Sequence, residues 1–285
     1  MKAEELLIIN KNDKMSAMRD IRYIANNIRC NALSCVYKSK SSHIGSGFSC
    51  ADILTVLYGG WLNISPDSIK DPNRDRFILS KGHAAATYYA TLAEYGFIPK
   101  EWLQSYCQFG SKLGGHVSHT VPGVEFSSGS LGHGLPAGVG MALGAKRAGK
   151  DYRVVVLMSD GEMNSGANWE AIMMAAGQNL KNLLAIVDRN KLQAMGFTED
   201  IIPFGDLIRK FEAFGWSAKA IDGHDFKSIK TALDMFPFSD KKPSVIIANT
   251  IKGKGVSFME NRLEWHYKSP NEDEFKKAMK ELGLQ

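Results

Sequence analysis

Val154-Val155-Val156-Leu157-Met158-Ser159-Asp160-Gly161 and Leu183-Leu184-Ala185-Ile186-Val187-Asp188-Arg189-Asn190 decide the fold. Each opens with five apolar residues and closes on polar ones, and the segment between them reads turn, then helix. The unit is strand–helix–strand. Parallel strands joined by a helix bring both carboxyl ends to one sheet edge, where ligands bind in open α/β folds. Asp160 and Asn190, 30 positions apart, place a carboxylate and an amide oxygen at that edge. These hard donors suit Mg²⁺ or Ca²⁺ held together with a phosphate-bearing cofactor.

Working outward, Arg76-Phe77-Ile78-Leu79 reads as a short buried strand and Ser80-Lys81-Gly82-His83 as the turn after it, with 84–95 helical. Ahead of these, Ser16 caps a long helix with apolar residues at Ile21, Ile24, Ala25, Ile28, Ala32, Cys35 and Val36. Residues 1–15 form a polar lead-in, Ser41 to Gly47 a loop, and Asp52 to Tyr58 a helix. Residues 110–134 carry many Gly, Ser and His without periodicity, and loops of that length in compact domains are usually functional. Pro136 opens a helix whose Gly138, Gly140 and Gly144 imply close packing on another backbone. Downstream, Ser217–Ile221 and Ser244–Ala248 are strands with a helix near Ser228 to Met235 between them. Pro270 and Asn271 start a last amphipathic helix. Alternation throughout predicts one α/β domain over 16–285, a parallel β-sheet with helices on both faces.

Composition agrees. The chain has 285 residues, 44% hydrophobic, enough for a sizeable core. Its apolar runs fall far short of the roughly 20 residues that span a bilayer. The N-terminus lacks a signal-peptide pattern, so a cytoplasmic protein with no membrane association is expected. The four cysteines (Cys30, Cys35, Cys50, Cys107) form no Cys-x-x-Cys pair and read as reduced core or surface residues. The net charge of +5 is compatible with anionic substrates such as sugar phosphates, and equally with a solvated surface. No basic block interleaved with aromatics points to nucleic acid.

Nine short motifs, in order, resemble one family. They are Lys40-Ser41-Ser42-His43-Ile44-Gly45, Leu79-Ser80-Lys81-Gly82-His83, Gly115-His116, Pro122-Gly123-Val124-Glu125, Ser128-Gly129-Ser130-Leu131-Gly132-His133-Gly134, Asp160-Gly161-Glu162, Asp188-Arg189-Asn190, Asp222-Gly223-His224-Asp225, and Lys252-Gly253-Lys254-Gly255 followed by Trp265-His266. From about residue 16 onward the chain is similar to the N-terminal, diphosphate-binding half of transketolase. The resemblance implies the thiamine-diphosphate-binding fold and thiamine diphosphate bound with Mg²⁺ (or Ca²⁺). Asp160, the side-chain oxygen of Asn190 and the backbone carbonyl of Leu192 are then the metal ligands. Gly161 lets the backbone approach a phosphate, and Gly129 and Leu131 line the cofactor. His83 and His266 lie near the diphosphate and the reaction centre, and His43 and His116 hydrogen-bond the substrate. The implied activity is transfer of a two-carbon ketol unit from a ketose, or ketose phosphate, to an aldose, with the cofactor as electron sink.

In that family a pyrimidine-binding domain follows and supplies the glutamate that activates the cofactor. The sequence up to Gln285 does not contain it, so the resemblance implies a split enzyme: a separate C-terminal transketolase subunit, paired with this one in a heterotetramer (α₂β₂). Four positions depart from the family pattern: Ser159, His133, Ser165 where a Glu of an acidic inter-site link is common, and Met195 where an Asp is common. Glu170 matches another acidic member of that link. Three other readings compete: the α subunit of a 2-oxo acid decarboxylating enzyme, a deoxyxylulose-phosphate synthase, and a non-catalytic assembly subunit.

Plainer readings stand beside several residues. Asp160 is also a good helix N-cap. His119 and His224 carry no catalytic expectation, and Asp222 to Asp225 reads as a strand-to-helix turn. Lys252 and Lys254 fit a solvated loop as well as a cofactor flank. The face with Trp169, Ile172, Met173 and Ala176 reads as core or dimer contact.

Overall fold

The computed structural model describes residues 11–283, with side chains from Ile21 onward. Residues 1–10 of the expected lead-in lie outside them. Helix α1 (Lys11–Ser39) already runs through Ser16, so Ser16 is not its cap. Helix α2 (Ile44–Val56) starts where a loop was expected and runs into a wide turn over Leu57–Trp61. The Gly-rich composition of 44–47 hid this turn of helix, all of whose residues are buried. Strand β1 (Arg76–Leu79) and α3 (Ala85–Glu94) follow, then the long irregular segment up to α4 (Gly134–Arg147), which holds Pro136 in its first turn.

The decisive unit comes next: β2 (Val154–Ser159), α5 (Gly166–Gly177) and β3 (Leu183–Arg189). After it come α6 (Thr198–Ile201), α7 (Leu207–Ala213), β4 (Ser217–Asp222), α8 (Phe226–Asp234), β5 (Ser244–Asn249) and α9 (Glu272–Glu281). Asp225 caps α8 by accepting from the Lys227 and Ser228 amides, and Asn271 with Glu274 forms a capping box on α9.

Among the described residues the strands form one parallel sheet in the order β1-β2-β3-β5-β4. Successive strand residues face opposite sides, and both sides are apolar. Leu79, Val155, Leu157, Leu184, Ile186 and Ile246 pack under α1, α2, α3 and α8. Ile78, Val154, Val156, Ala185, Val187 and Ile247 pack under α4, α5 and α7. Burial on both faces is why β2, β3 and β5 read as apolar runs, while the edge strand β4 is only partly buried. Of Gly138, Gly140 and Gly144, only Gly138 meets the close-packing expectation, and against a side chain: a Cβ there would come within 2.5 Å of Val156 Cγ2. Gly140 and Gly144 are exposed and a Cβ at either meets nothing within 4 Å. Cys30, Cys35 and Cys50 are buried, Cys107 is exposed, and all four are free. No helix among the described residues is long and apolar enough to cross a membrane.

Candidate active site

Register sets the site. Ser159 pairs with Asp188, and Arg189 with Asn249. The residues that leave β2, β3 and β5 at their carboxyl ends therefore emerge side by side. β1 adds the turn Ser80 to His83, drawn close because Gly82 has no side chain: a Cβ there would lie 2.5 Å from the Ser128 carbonyl. That contact seats the loop carrying Gly129 and Leu131 on the strand ends.

Asp160 is buried. Its Oδ1 accepts from the Gly161 amide at 2.7 Å, so it does cap the short turn Gly161–Asn164. Its Oδ2 accepts from the Lys191 amide (2.6 Å) and the Thr198 hydroxyl (3.4 Å). Burial and the neighbouring Asp188 push the Asp160 carboxyl pKa up. Asn190 Oδ1 accepts from the Leu192 amide at 3.1 Å, and the Leu192 carbonyl accepts from Lys252 Nζ at 3.2 Å. A carboxylate whose charge is costly, an amide oxygen and a carbonyl, each with lone pairs to spare, fit a hard divalent cation. Beside them Gln193 Nε2 is buried without a hydrogen-bond partner, a donor suited to an anion's oxygen. What a Cβ on Gly161 would strike is this Gln193 side chain, at 2.9 Å. The glycine admits Gln193, a residue the sequence reading did not single out.

Four histidines from distant segments meet above this group. The His43 ring centroid lies 5.4 Å from His83, 5.9 Å from His116 and 5.1 Å from His266, and His83 is 5.9 Å from His266. His43 sits in the left-handed region (φ 74°), ahead of α2, and its amide donates to the His266 carbonyl at 2.8 Å. Gly129 lies against the His116 ring, 3.1 Å from its Cδ2 to a notional Cβ, and Leu131 is exposed. Burial, then the charge neighbours His116 and Lys252, lower the His43 pKa to about 4. Burial and Lys252 lower His266 to about 3, and burial with Lys81 holds His83 well below the usual range. These three rings are neutral at pH 7.

Lys252 is fully buried, which removes the solvated-loop reading for it; Lys254 is partly exposed. The Lys252 Nζ donates to the Leu192 and Gln193 carbonyls (3.2 Å each) and to His266 Nδ1 (2.8 Å). Burial, then Lys81, lower the Lys252 pKa to about 8. Lys81, equally buried, pairs with Asp188, which also accepts from the Ser49 and Thr250 hydroxyls. Burial opposes the charge on Lys81, but Asp188 outweighs it and raises the pKa. Buried Glu162 accepts from the Ser80 hydroxyl and from the Gly132 (3.0 Å) and Ser159 (3.2 Å) amides, and burial pushes its pKa up. It ties the 128–134 loop to the strand ends. The sequence clue to Lys81, Asp188 and Glu162 was a charge within four residues after an apolar run. His119 is exposed against Ser127, and His224 lies outside the cluster. Trp169 and Ile172 pack into the core, while Met173 is half exposed.

A parallel sheet presenting oxygen donors and buried cations at its carboxyl edge defines a phosphate-cofactor domain. The family described as "Transketolase, thiamine diphosphate binding domain" matches residues 21–285, and the chain belongs to that family. It is 48% identical over 241 residues to an apulose-4-phosphate transketolase chain of Actinobacillus succinogenes, named as one subunit of that enzyme, covering 84% of this chain and 87% of that protein. It is 39% identical to the 6-deoxy-6-sulfo-D-fructose transketolase subunit of a Clostridium species, covering 92% of this chain and 96% of that one. The solved transketolase of Campylobacter jejuni superposes with a TM-score of 0.87 at 32% identity, over 93% of this chain and 43% of that one.

Proposed function

We propose that this chain is the N-terminal subunit of a split, thiamine-diphosphate-dependent transketolase. It moves a two-carbon ketol unit from a ketose, or ketose phosphate, to an aldose when joined by a separate C-terminal subunit in a heterotetramer (α₂β₂). The observation that carries this reading is the convergence of His43, His83, His116 and His266 beside the oxygen donors Asp160, Asn190 and Leu192. Relatives of nearly the same length are named as transketolase subunits, which supports the split.

In this reading Asp160, Asn190 Oδ1 and the Leu192 carbonyl would hold Mg²⁺ or Ca²⁺, Gln193 Nε2 would offer an N–H donor to the diphosphate, and Lys252, whose three N–H groups are engaged by Leu192, Gln193 and His266, would add its charge. Bound thiamine diphosphate supplies the nucleophilic carbon and electron sink. His266 Nδ1 accepts from the Lys252 ammonium, so the ring proton sits on Nε2, where it is a donor to substrate. His43 has Nδ1 engaged with Ser42 Oγ at 3.0 Å, which leaves Nε2 for a substrate hydroxyl. Neutral rings make these bonds without adding positive charge to a site that already contains Lys81 and Lys252. His116, the most exposed of the four, faces the incoming sugar.

The test is calorimetric binding of thiamine diphosphate with Mg²⁺, to this chain alone and mixed with its candidate C-terminal partner. A donor panel follows that includes apulose 4-phosphate and ordinary ketose phosphates. Metal-dependent binding and two-carbon transfer by the mixture are expected. Absence of binding in both samples overturns the proposal, and pyruvate decarboxylation without sugar transfer replaces it with the 2-oxo acid reading.

A further inference from the structure

The turn Asp222-Gly223-His224-Asp225 plays no part in the chemistry above, yet His224 is the meeting point of four segments. It stands between β4 and α8, and its side chain is only 11% exposed. Its Nε2 accepts from the Ile251 amide at 2.8 Å, and its Nδ1 lies 2.7 Å from Asp52 Oδ2. A ring nitrogen that accepts from an amide carries no proton, so the proton is on Nδ1 and donates to Asp52. Asp52 is held in turn by Arg29, whose two terminal nitrogens donate to Oδ1 at 2.9 Å and Oδ2 at 2.6 Å. Both partners of that pair are buried, on α1 and α2. Burial alone would raise the Asp52 pKa, but Arg29 and His224 outweigh it and hold the carboxyl below its usual range. Arg29 and His224 thus favour the ionised form of the acceptor that His224 needs on its Nδ1 side.

The residue after Ile251 is Lys252. We propose that His224 is a positioning residue for Lys252: locked as the Nδ1–H tautomer by the Arg29–Asp52 pair, it grips the Ile251 amide and so fixes the strap that carries the ammonium into the histidine cluster. The strap is pinned on the other side too, where the Gly253 amide donates to the Gly45 carbonyl at 2.9 Å. Between these two anchors the Lys252 side chain has one direction left, toward Leu192, Gln193 and His266. The value of this grip to catalysis rests on the proposed function; the grip itself does not, and is measured without cofactor.

The experiment compares His224→Gln and His224→Asn with the wild-type chain. Glutamine Oε1 falls where Nε2 was and can still accept from the Ile251 amide. Asparagine reaches Asp52 but not the strap. Amide exchange at residue 251 reads the grip, and acylation of Lys252 against partly exposed Lys254, followed by peptide mass spectrometry, reads the position of the side chain. In H224N the Ile251 amide loses its acceptor, and exchange and Lys252 acylation both rise about tenfold or more. In H224Q both stay near wild type. The proposal is overturned if H224N leaves Ile251 exchange and Lys252 acylation unchanged, or if H224Q behaves like H224N. In the wild type, the ¹⁵N shift of His224 Nε2 is that of an unprotonated nitrogen; a protonated one also overturns it. A wild-type chain that binds no thiamine diphosphate with its partner defeats the proposed function, while the exchange and acylation results still decide this inference.

Discussion

Lys81→Met probes the charge balance beneath the site. The Lys81 ammonium and the Asp188 carboxylate are both fully buried and in contact. Lys81 also donates to the Ser46 carbonyl at 2.8 Å and approaches Ser49 Oγ at 3.4 Å. Methionine keeps the length and apolar stem of the side chain and removes the charge. Asp188 then keeps its hydroxyl donors Ser49 and Thr250 but loses its cation. Removing one partner of a buried pair costs about 3–5 kcal/mol. The two remaining hydroxyls place this case near about 3 kcal/mol, a fall in Tm of about 6–12 °C for a chain of this size. The deficit depends on pH. Asp160 already has a raised pKa, from burial and then Asp188, with Lys81 opposing the rise. Without Lys81 it rises further. A carboxyl whose folded pKa lies above its unfolded value contributes stability at low pH that is lost as pH rises through the folded pKa. K81M is therefore weaker relative to wild type at pH 8 than at pH 5. Adding Asp188→Asn removes the stranded charge and recovers about half of the loss. Urea unfolding followed by circular dichroism at both pH values makes the measurement. A loss under about 1 kcal/mol for K81M, or a double variant no more stable than the single, refutes the reasoning.

Further predictions concern the cluster and the oxygen donors. Asp160→Ala abolishes metal-dependent binding of thiamine diphosphate in the mixed subunits; wild-type affinity in calorimetry removes Asp160 from the metal site. His43→Ala lowers turnover by about 10²–10⁴-fold while cofactor affinity stays near wild type, and a large loss of affinity contradicts its substrate-facing place. Gln193→Leu removes an unpartnered buried donor, so the free chain is as stable or more stable while cofactor affinity falls; unchanged affinity shows that Gln193 meets no ligand. His43 and His266 titrate in the folded chain near 4 and 3, against about 6.5 when unfolded. Between those values the unfolded chain binds more protons, so stability falls as pH drops from about 6.5 toward 4. Changing both to Asn flattens that limb of the pH–stability curve, and an unaltered slope contradicts the depressed pKa values.

The apolar runs at 154–158, 183–187 and 245–248 announced buried parallel strands because burial on both faces leaves no polar alternation to confuse the reading. Helix boundaries were harder. Ile44 to Gly47 looked like a loop because glycine and serine are poor helix formers, yet packing under the sheet overrides propensity there. The histidines were legible as motif members. The resemblance set them about one reaction centre, but their spacing at 43, 83, 116 and 266 did not show that the other three rings lie within 6 Å of His43, which follows from strand register and the turn at Gly82.

What the sequence determined by itself was the apolar runs of the strands, the family motifs and the identity of the donor atoms, all of which are local properties. The tertiary structure decided which charges are taken out of water and which neighbours they meet there. Lys252 reads in sequence as one lysine among several in a Gly-rich loop. Only the fold buries it completely and sets His266 at 2.8 Å from its ammonium. A side chain's protonation state and reach depend on desolvation and on charges brought from distant segments, and no local stretch of sequence carries that information.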